Sequence, residues 1–106
     1  MTPEQQRIAI AKACGWKWHS RMKGSIKVWD NRLDYVFSDS ELPDYLNDLN
    51  AMHKAEKTLD YNQMNRYQNI ELSRFVHTET TWICSATAAQ RAEAFLRTLG
   101  RWEEEA

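Results

Sequence analysis

The stretches TPEQQRIAIAKACGWKW (residues 2–18) and TAAQRAEAFLRTLGRW (residues 87–102) decide the fold, because they share one design. Each begins with a threonine suited to cap a helix and has a glutamine three residues later that completes a capping box. Each then reaches a glycine, which favours a helix end, and shortly afterwards a tryptophan. We predict capped helices over residues 3–14 and from Thr87 to Gly100. The second has the apolar face Ala92, Phe95, Leu96 and Leu99.

Alternating apolar and polar residues predict a β-hairpin after the first helix. The segments WKWH (16–19) and SIKVW (25–29) have the period of a half-buried strand. Lys23-Gly24 can form the turn between them. LDYVF (33–37) is a candidate third strand, and residues 38–41 read as a polar loop.

Two helices are predicted in the middle of the chain. The segment DYLNDLNAMHKAEKTL (44–59), which follows Pro43, has apolar residues at helical spacing with the polar interruption Glu56. A capping box of Asp60 and Gln63 opens the next helix. Its predicted stripe comprises Met64, Tyr67, Ile70 and Arg74.

The β-rich run TWICS (81–85) predicts an inner strand before the last helix. The element order is therefore α-β-β-(β)-α-α-β-α. In a chain of 106 residues this order indicates one α+β domain over residues 1–106. We predict an α-β-α sandwich with helices packed on both faces of a small, mainly antiparallel sheet, and a frayed acidic tail at 103–106.

Composition excludes several classes of protein. Fourteen lysines and arginines nearly balance 15 aspartates and glutamates, for a net charge of -1. A nonspecific DNA-binding protein would have a basic excess and a DNA mimic an acidic one, so we expect neither. Cys14 and Cys84 fit no metal or redox spacing and are expected to be reduced and buried. No segment approaches the roughly 18 apolar residues of a membrane span, and the polar N-terminus is unlike a signal peptide, so a cytoplasmic protein is expected.

Tryptophans interleaved with basic residues are the main candidate binding feature. Aromatic stacking contributes about 1–3 kcal/mol per base, and lysine or arginine can hold a phosphate. Alternatively the tryptophans fill the core, because strand residues that face helices are large and apolar. Trp16 and Trp18 share one face of the predicted strand while Lys17 and His19 share the other, so the two roles would divide by face. The predicted ligand-binding residues are Trp16, Trp18, Arg21, Lys27, Trp29 and Arg32.

The polar faces of the helices are a second candidate feature. Arg91 and Arg97, with Glu93 nearby, give the last helix a face of mixed charge, and Asp48 raises the same question on the middle helix. Such a face is either solvated or contacts another protein. The predicted partner-binding residues are Asp48, Arg91 and Arg97.

No catalytic motif is present, because the chain lacks a nucleophile elbow, a P-loop, an HExxH motif and a dinucleotide-binding glycine pattern. Asp44 and Asp48 are spaced to share a helix face, but His53 is rotated away from them. Paired carboxylates near a helix start more often complement its dipole than bind a metal. We therefore expect no catalytic residues, no metal and no cofactor.

The segments IAKACGWKW (10–18), PDYLNDLNAMHKAEKTL (43–59) and SATAAQRAEAFLRTLGRW (85–102) resemble bacteriophage proteins grouped as the phage ABA sandwich domain. The resemblance covers most of the chain and is weaker at 23–40 and 62–80. It implies a sheet between helices, and a small phage or prophage accessory protein that acts in a bacterial cytoplasm. It supplies no catalytic residues.

Three functions follow as hypotheses. The first is a non-enzymatic counter-defence protein that sequesters a small nucleotide-type immune signal. It requires a pocket or an oligomer interface in which Trp16, Trp18 or Trp29 lies beside a basic residue. The second is an anti-CRISPR-like inhibitor that occludes a host defence protein. The third is a structural or regulatory phage protein with no defence role.

Overall fold

The computed structural model describes residues 1–20, 27–32, 34–75 and 86–104. Within these ranges it has four α-helices and three strands, so the predicted α+β class is confirmed. The predicted strand at 81–85, the hairpin turn at Lys23-Gly24, Arg21 and Cys84 lie outside the described residues. The elements are α1 (Pro3–Ala13), β1 (Lys17–Ser20), β2 (Lys27–Asp30), β3 (Tyr35–Val36), α2 (Leu49–Glu56), α3 (Tyr61–Arg66) and α4 (Ala88–Thr98).

The three strands form an antiparallel sheet in the order β1-β2-β3. Trp29 of β2 pairs with Trp18 on one side and with Val36 on the other. Val28 and Trp29 point to opposite faces because side chains alternate along a strand. Both are buried, at 1% and 4% exposure, so the central strand is covered on both faces. The third strand is shorter than predicted.

The core is built around α4, which packs against α1 and α2. Phe95 and Leu96 are completely buried, as are Ile10 of α1 and Met52 of α2. Trp29 of the sheet joins the same cluster. Burial of each such side chain stabilises the folded state by about 1.5–3 kcal/mol. The face of α4 that carries Phe95 and Leu96 is the apolar face predicted from the sequence.

The helix ends behave as their sequences predict. Thr2 and Thr87 each accept a hydrogen bond from the backbone N–H of the glutamine three residues later, and both capping boxes are complete. Asp60 caps α3 in the same way. Gly15 and Gly100 have φ angles of +101° and +69°, a left-handed conformation that L side chains rarely adopt.

The middle helix begins later than predicted. Asp48 accepts hydrogen bonds from the N–H groups of Asn50 and Ala51, so it caps α2 and leaves the residues before it in turns. Asp44 instead forms an ion pair with Arg7 of α1 at 3.0 Å. The prediction that Asp44 and Asp48 share one helix face is therefore wrong.

A turn of π-helix at Tyr67–Glu71 and a 3-10 turn at Leu72–Arg74 continue α3. The wider π turn holds one extra residue, which shifts the side chains that follow around the helix axis. Tyr67 is buried as predicted, but Ile70 is 47% exposed and Arg74 is exposed, so the predicted stripe is wrong at those two positions. Glu71 and Leu72 take the inner positions instead.

Within the described residues, no helix is both long and apolar enough to cross a membrane.

Candidate functional site

An open groove of about 530 Å³ lies between the last turn of α1, the β-hairpin and the segment after β3. We call it the aromatic groove. Its described lining combines three aromatic rings with one lysine, one hydroxyl and one carboxylate. These residues are Lys12, Trp18, Trp29, Phe37, Ser38 and Asp39.

The strand register positions two of the three rings. Trp18 lies directly opposite Trp29, with ring centroids 5.5 Å apart and planes tilted by 51°. The Trp29 indole Nε1–H donates to Asp39 Oδ1 at 2.6 Å. This bond ties the 3-10 turn Asp39–Glu41 to the sheet and helps to fix Trp29 as the floor of the groove.

The other two rings are open to solvent. Trp18 is 44% exposed and Phe37 is 55% exposed, although both are large apolar side chains. Large apolar groups gathered at a concave surface more often mark an interaction site than a structural need. Two tryptophans that face each other across the hairpin therefore differ in role, because Trp29 is part of the core whereas Trp18 is exposed.

Lysines accompany the exposed rings. Lys12 lines the groove from α1 and is exposed. Lys27 is exposed and lies two residues from Trp29 in β2, so it is on the same face of the sheet as the groove. Asp39, the carboxylate of the described lining, accepts a hydrogen bond from the Trp29 indole. The groove therefore offers stacking surfaces together with two nearby lysines, whose positive charge Asp39 partly offsets.

Trp16, another predicted ligand residue, lies in a separate cleft of about 400 Å³. It is 8% exposed and packs beside Cys14 and Tyr45. Burial raises the pKa of the Cys14 thiol, against the opposing effect of hydrogen bonds to Thr58 and Tyr45. Burial, and then the charge that Cys14 would carry, raise the pKa of Tyr45 as well. Both groups are therefore neutral near pH 7, and this cleft offers no activated nucleophile.

Acidic residues make the same cleft a poor place for an anion. Asp34 and Asp48 line it with a single lysine, Lys54, among its described residues. Two negative charges against one positive charge oppose a phosphate-bearing ligand. Trp16 thus belongs mainly to the core.

Arg32 occupies a turn and is not among the described residues that line the aromatic groove. Its φ angle is +79°, which is uncommon for a residue with a side chain. Its backbone N–H donates to Asp30 Oδ1 at 2.6 Å, a hydrogen bond that holds the turn after β2.

Arg91 was predicted on an exposed polar face, and that prediction is wrong. Arg91 is 5% exposed, and its Nη1 lies 3.2 Å from Glu56 Oε2. Its Nε donates to the carbonyl oxygen of Ala86 at 3.1 Å. The polar interruption at Glu56 supplies the charge that lets Arg91 point inward. Tyr67 lies near this pair, and burial followed by the charge of Glu56 raises the pKa of its hydroxyl.

The two other predicted partner-binding residues have local partners. Asp48 is exposed but its carboxylate caps α2. Arg97 is partly exposed and forms ion pairs with Glu93 at 3.1 Å and with Glu104 at 2.8 Å. Glu104 thus contacts α4 from the predicted tail at 103–106, of which residues 105–106 lie outside the described residues.

The metal candidates are also engaged separately. Asp44 pairs with Arg7, and His53 Nδ1 lies 3.0 Å from Glu56 Oε1. In the described parts of the chain, no three potential ligands among histidine, cysteine, aspartate and glutamate are grouped to hold an ion.

Of the predicted ligand set, the structure thus brings Trp18 and Trp29 together in the groove, with Lys27 on the same face of the sheet. Trp16 lines the separate cleft, and Arg32 lines neither. Sequence reasoning missed Lys12, Phe37 and Asp39. Phe37 carried a usable signal, since it ends an aromatic candidate strand next to a polar loop. No protein family, curated protein or solved structure matches this chain.

Proposed function

We propose that the protein binds and sequesters a small nucleotide-type immune signal in the aromatic groove, as a non-enzymatic phage or prophage accessory protein in a bacterial cytoplasm. The observation that carries the proposal is the Trp18 ring, which is 44% exposed on a groove that Lys12 also lines. The phage setting rests on the resemblance to phage ABA sandwich domain proteins, and the counter-defence role is inferred from that setting together with the aromatic and basic residues.

The groove suits the two chemical parts of a nucleotide. A base can stack on Trp18 or Phe37, and each such contact contributes about 1–3 kcal/mol. Lys12 and Lys27 can meet one or two phosphate charges at the edge of the same surface. The groove is open to solvent, and its volume of about 530 Å³ lies within the size range of small-molecule sites. Sequestration needs this affinity and no catalytic group.

The first experiment is a thermal shift measurement against a panel of cyclic and linear nucleotides. A ligand at 100 times its Kd stabilises the folded state by about 2.7 kcal/mol. For a domain of this size each kcal/mol raises Tm by roughly 4–8 °C. We expect a large shift with at least one nucleotide, and its affinity is then measured by calorimetry.

Variants identify the site. Trp18→Ala should abolish the shift, while Trp18→Phe should keep part of it because a ring remains for stacking. Tyr61→Ala is the matched control, since Tyr61 is 84% exposed and is not among the described residues that line the groove. A nucleotide that binds Trp18→Ala as tightly as wild type would overturn this proposal, and so would a panel that gives no shift.

An anti-CRISPR-like inhibitor remains a second proposal, and one observation favours it. Tyr35 is 48% exposed and meets Phe37 edge to face, with centroids 5.5 Å apart. These rings extend the exposed aromatic surface beyond the groove, and tyrosine and phenylalanine are enriched at protein interfaces. If the protein is such an inhibitor, Tyr35→Ala should weaken capture of a host defence protein. If the protein instead binds a nucleotide in the groove, Tyr35→Ala should leave nucleotide binding unchanged.

A further inference from the structure

A third pocket, open to solvent and about 280 Å³ in volume, lies between the end of α4 and the π turn that follows α3. Its described lining contains three guanidinium groups, one carboxylate and one indole. We call it the arginine cavity. The lining residues are Arg66, Glu71, Arg74, Arg97, Gly100 and Trp102.

Glu71 is the unusual member of this set. It is 2% exposed, and its Oε2 has no hydrogen-bond partner within the residues that the structure describes. Arg66 lies 3.6 Å from Oε1 and Arg74 lies 3.7 Å from Oε2. These separations are longer than the roughly 2.7–2.9 Å of a charge-assisted hydrogen bond. A buried carboxylate oxygen is costly without a donor, so Oε2 would be stabilised by an O–H or N–H group. Because Oε2 is itself shielded from solvent, such a group reaches it only when the exposed side chains of Arg66 and Arg74 move aside.

The arginines can accept an anion. The side chains of Arg66 and Arg74 are 57% and 59% exposed, so their guanidinium groups are open to a ligand. Arg97 is stacked on the Trp102 ring, with its guanidinium carbon 5.0 Å from the ring centroid. Guanidinium groups bind phosphate and carboxylate through paired hydrogen bonds.

An internal carboxylate, that of Glu104, already contacts two of the lining residues. Glu104 Oε1 accepts hydrogen bonds from Arg97 Nη2 at 2.8 Å and from Trp102 Nε1 at 3.2 Å. The Glu104 side chain is 73% exposed, so an incoming anion can displace it at little cost. The contact shows which donors of Arg97 and Trp102 an oxyanion can use.

We propose that the arginine cavity binds a small phosphate monoester that carries a neighbouring amine or hydroxyl group. The phosphate is held by Arg66, Arg74 and Arg97, and the amine or hydroxyl donates to Glu71. Glu104 leaves Arg97 when the phosphate enters. This site is distinct from the aromatic groove and does not depend on the function proposed for it.

Two probes that differ in one group test the proposal by titration calorimetry at low ionic strength. Phosphoethanolamine has a phosphate and an amine, whereas ethyl phosphate has the same skeleton without the amine. Wild type should bind both, and phosphoethanolamine about tenfold more tightly, because only its amine can donate to Glu71. Equal affinities would overturn the role of Glu71, and no binding of either would overturn the site.

Arginine variants distinguish binding in the cavity from nonspecific attraction to positive charge. Arg66→Gln and Arg74→Gln should each weaken both probes about tenfold, because each removes a charge-assisted contact. Arg101→Gln is the matched control, since Arg101 is an exposed arginine outside the described lining of this cavity. An equal loss in Arg101→Gln would mean that binding is nonspecific attraction to positive charge, which overturns the proposal.

Two further variants address Glu71 and Glu104. Glu71→Gln should remove the preference for phosphoethanolamine and leave ethyl phosphate binding largely intact. Glu104→Gln should tighten both probes several-fold, because the competing carboxylate is weakened. If Glu71→Gln does not fold, Arg66→Gln, Arg74→Gln and Glu104→Gln still test whether the phosphate binds in this cavity. Unchanged binding of both probes in all three variants would overturn the proposed site.

Discussion

Glu56 of α2 and Arg91 of α4 form an ion pair that joins two helices inside the protein. Their side chains are 13% and 7% exposed, and the Arg91 Nη1 to Glu56 Oε2 distance is 3.2 Å. His53 also contacts Glu56, through Nδ1 and Oε1 at 3.0 Å. Because α4 packs against both α1 and α2, this pair helps to fix the position of α4 against α2.

Removing one partner of the pair should be strongly destabilising. Arg91→Ala leaves Glu56 as a poorly compensated charge, and we expect a loss of about 3–5 kcal/mol in the free energy of unfolding. Urea denaturation measures it. Arg97→Ala is the control, since its partners are partly exposed and such pairs contribute only about 0–1 kcal/mol. Equal losses in the two variants would contradict a buried role for Arg91.

Trp18 and Trp29 should differ sharply in stability although they face each other. Trp29→Ala empties a buried position and removes the hydrogen bond to Asp39, so we expect a cost of about 3–5 kcal/mol. Trp18→Ala removes a half-exposed ring and one cross-strand pair, so we expect about 1 kcal/mol. Urea unfolding of both variants checks the difference. A loss near 3 kcal/mol for Trp18 would place that ring in the core.

The capping box of α4 should be measurable by itself. Thr87→Ala removes the acceptor for the Gln90 N–H and should cost about 1 kcal/mol, within the usual range of about 0.5–2. Thr87→Ser retains the hydroxyl and should cost much less. Thermal unfolding of the two variants tests this, and equal losses would show that the methyl group, not the cap, matters.

Stability should fall in alkaline solution. Burial raises the pKa values of Tyr45 and Tyr67 above the ordinary tyrosine pKa of about 10, whereas the unfolded chain titrates near that value. Above about pH 10 the unfolded state therefore binds fewer protons than the folded state, and the free energy of unfolding decreases as pH rises. Below that pH these groups contribute no slope.

Urea unfolding between pH 8 and pH 11 measures the effect, which is at most about 1.4 kcal/mol per pH unit for each group. Tyr67→Phe should flatten the decline, because phenylalanine cannot ionise. An identical decline in Tyr45→Phe/Tyr67→Phe would assign the effect to other groups.

Helices α1 and α4 were predictable because the residues that start and end them act locally. Thr87, Gln90 and Gly100 act within one turn of the helix end that they define, so no distant contact is needed to interpret them. The start of α2 was harder, since either Asp44 or Asp48 could have capped it. Asp44 instead pairs with Arg7 of α1, 37 positions away, a contact that the local pattern does not reveal.

The candidate site was only partly predictable for a related reason. The hairpin pattern places Trp18 opposite Trp29, but it does not reveal which ring the helices cover. That outcome depends on packing between segments far apart in the chain. Arg91 is similar, because its burial follows from Glu56, 35 positions away. The lone polar residue in an otherwise apolar stripe was a sign that an inward-facing cation was needed.

The π turn at Tyr67–Glu71 determines which insertions and deletions the neighbouring cavity can tolerate during evolution. Because the π turn takes up one extra residue, a deletion of one residue there would restore ordinary helical geometry and leave the later side chains near their present positions around the axis. A deletion in the regular helix α3 would instead rotate every later side chain by about 100° and move Glu71 away from the arginines, even though its codon was untouched. Descendants that keep the cavity should therefore keep the length of α3, whereas they can lose one residue within the π turn.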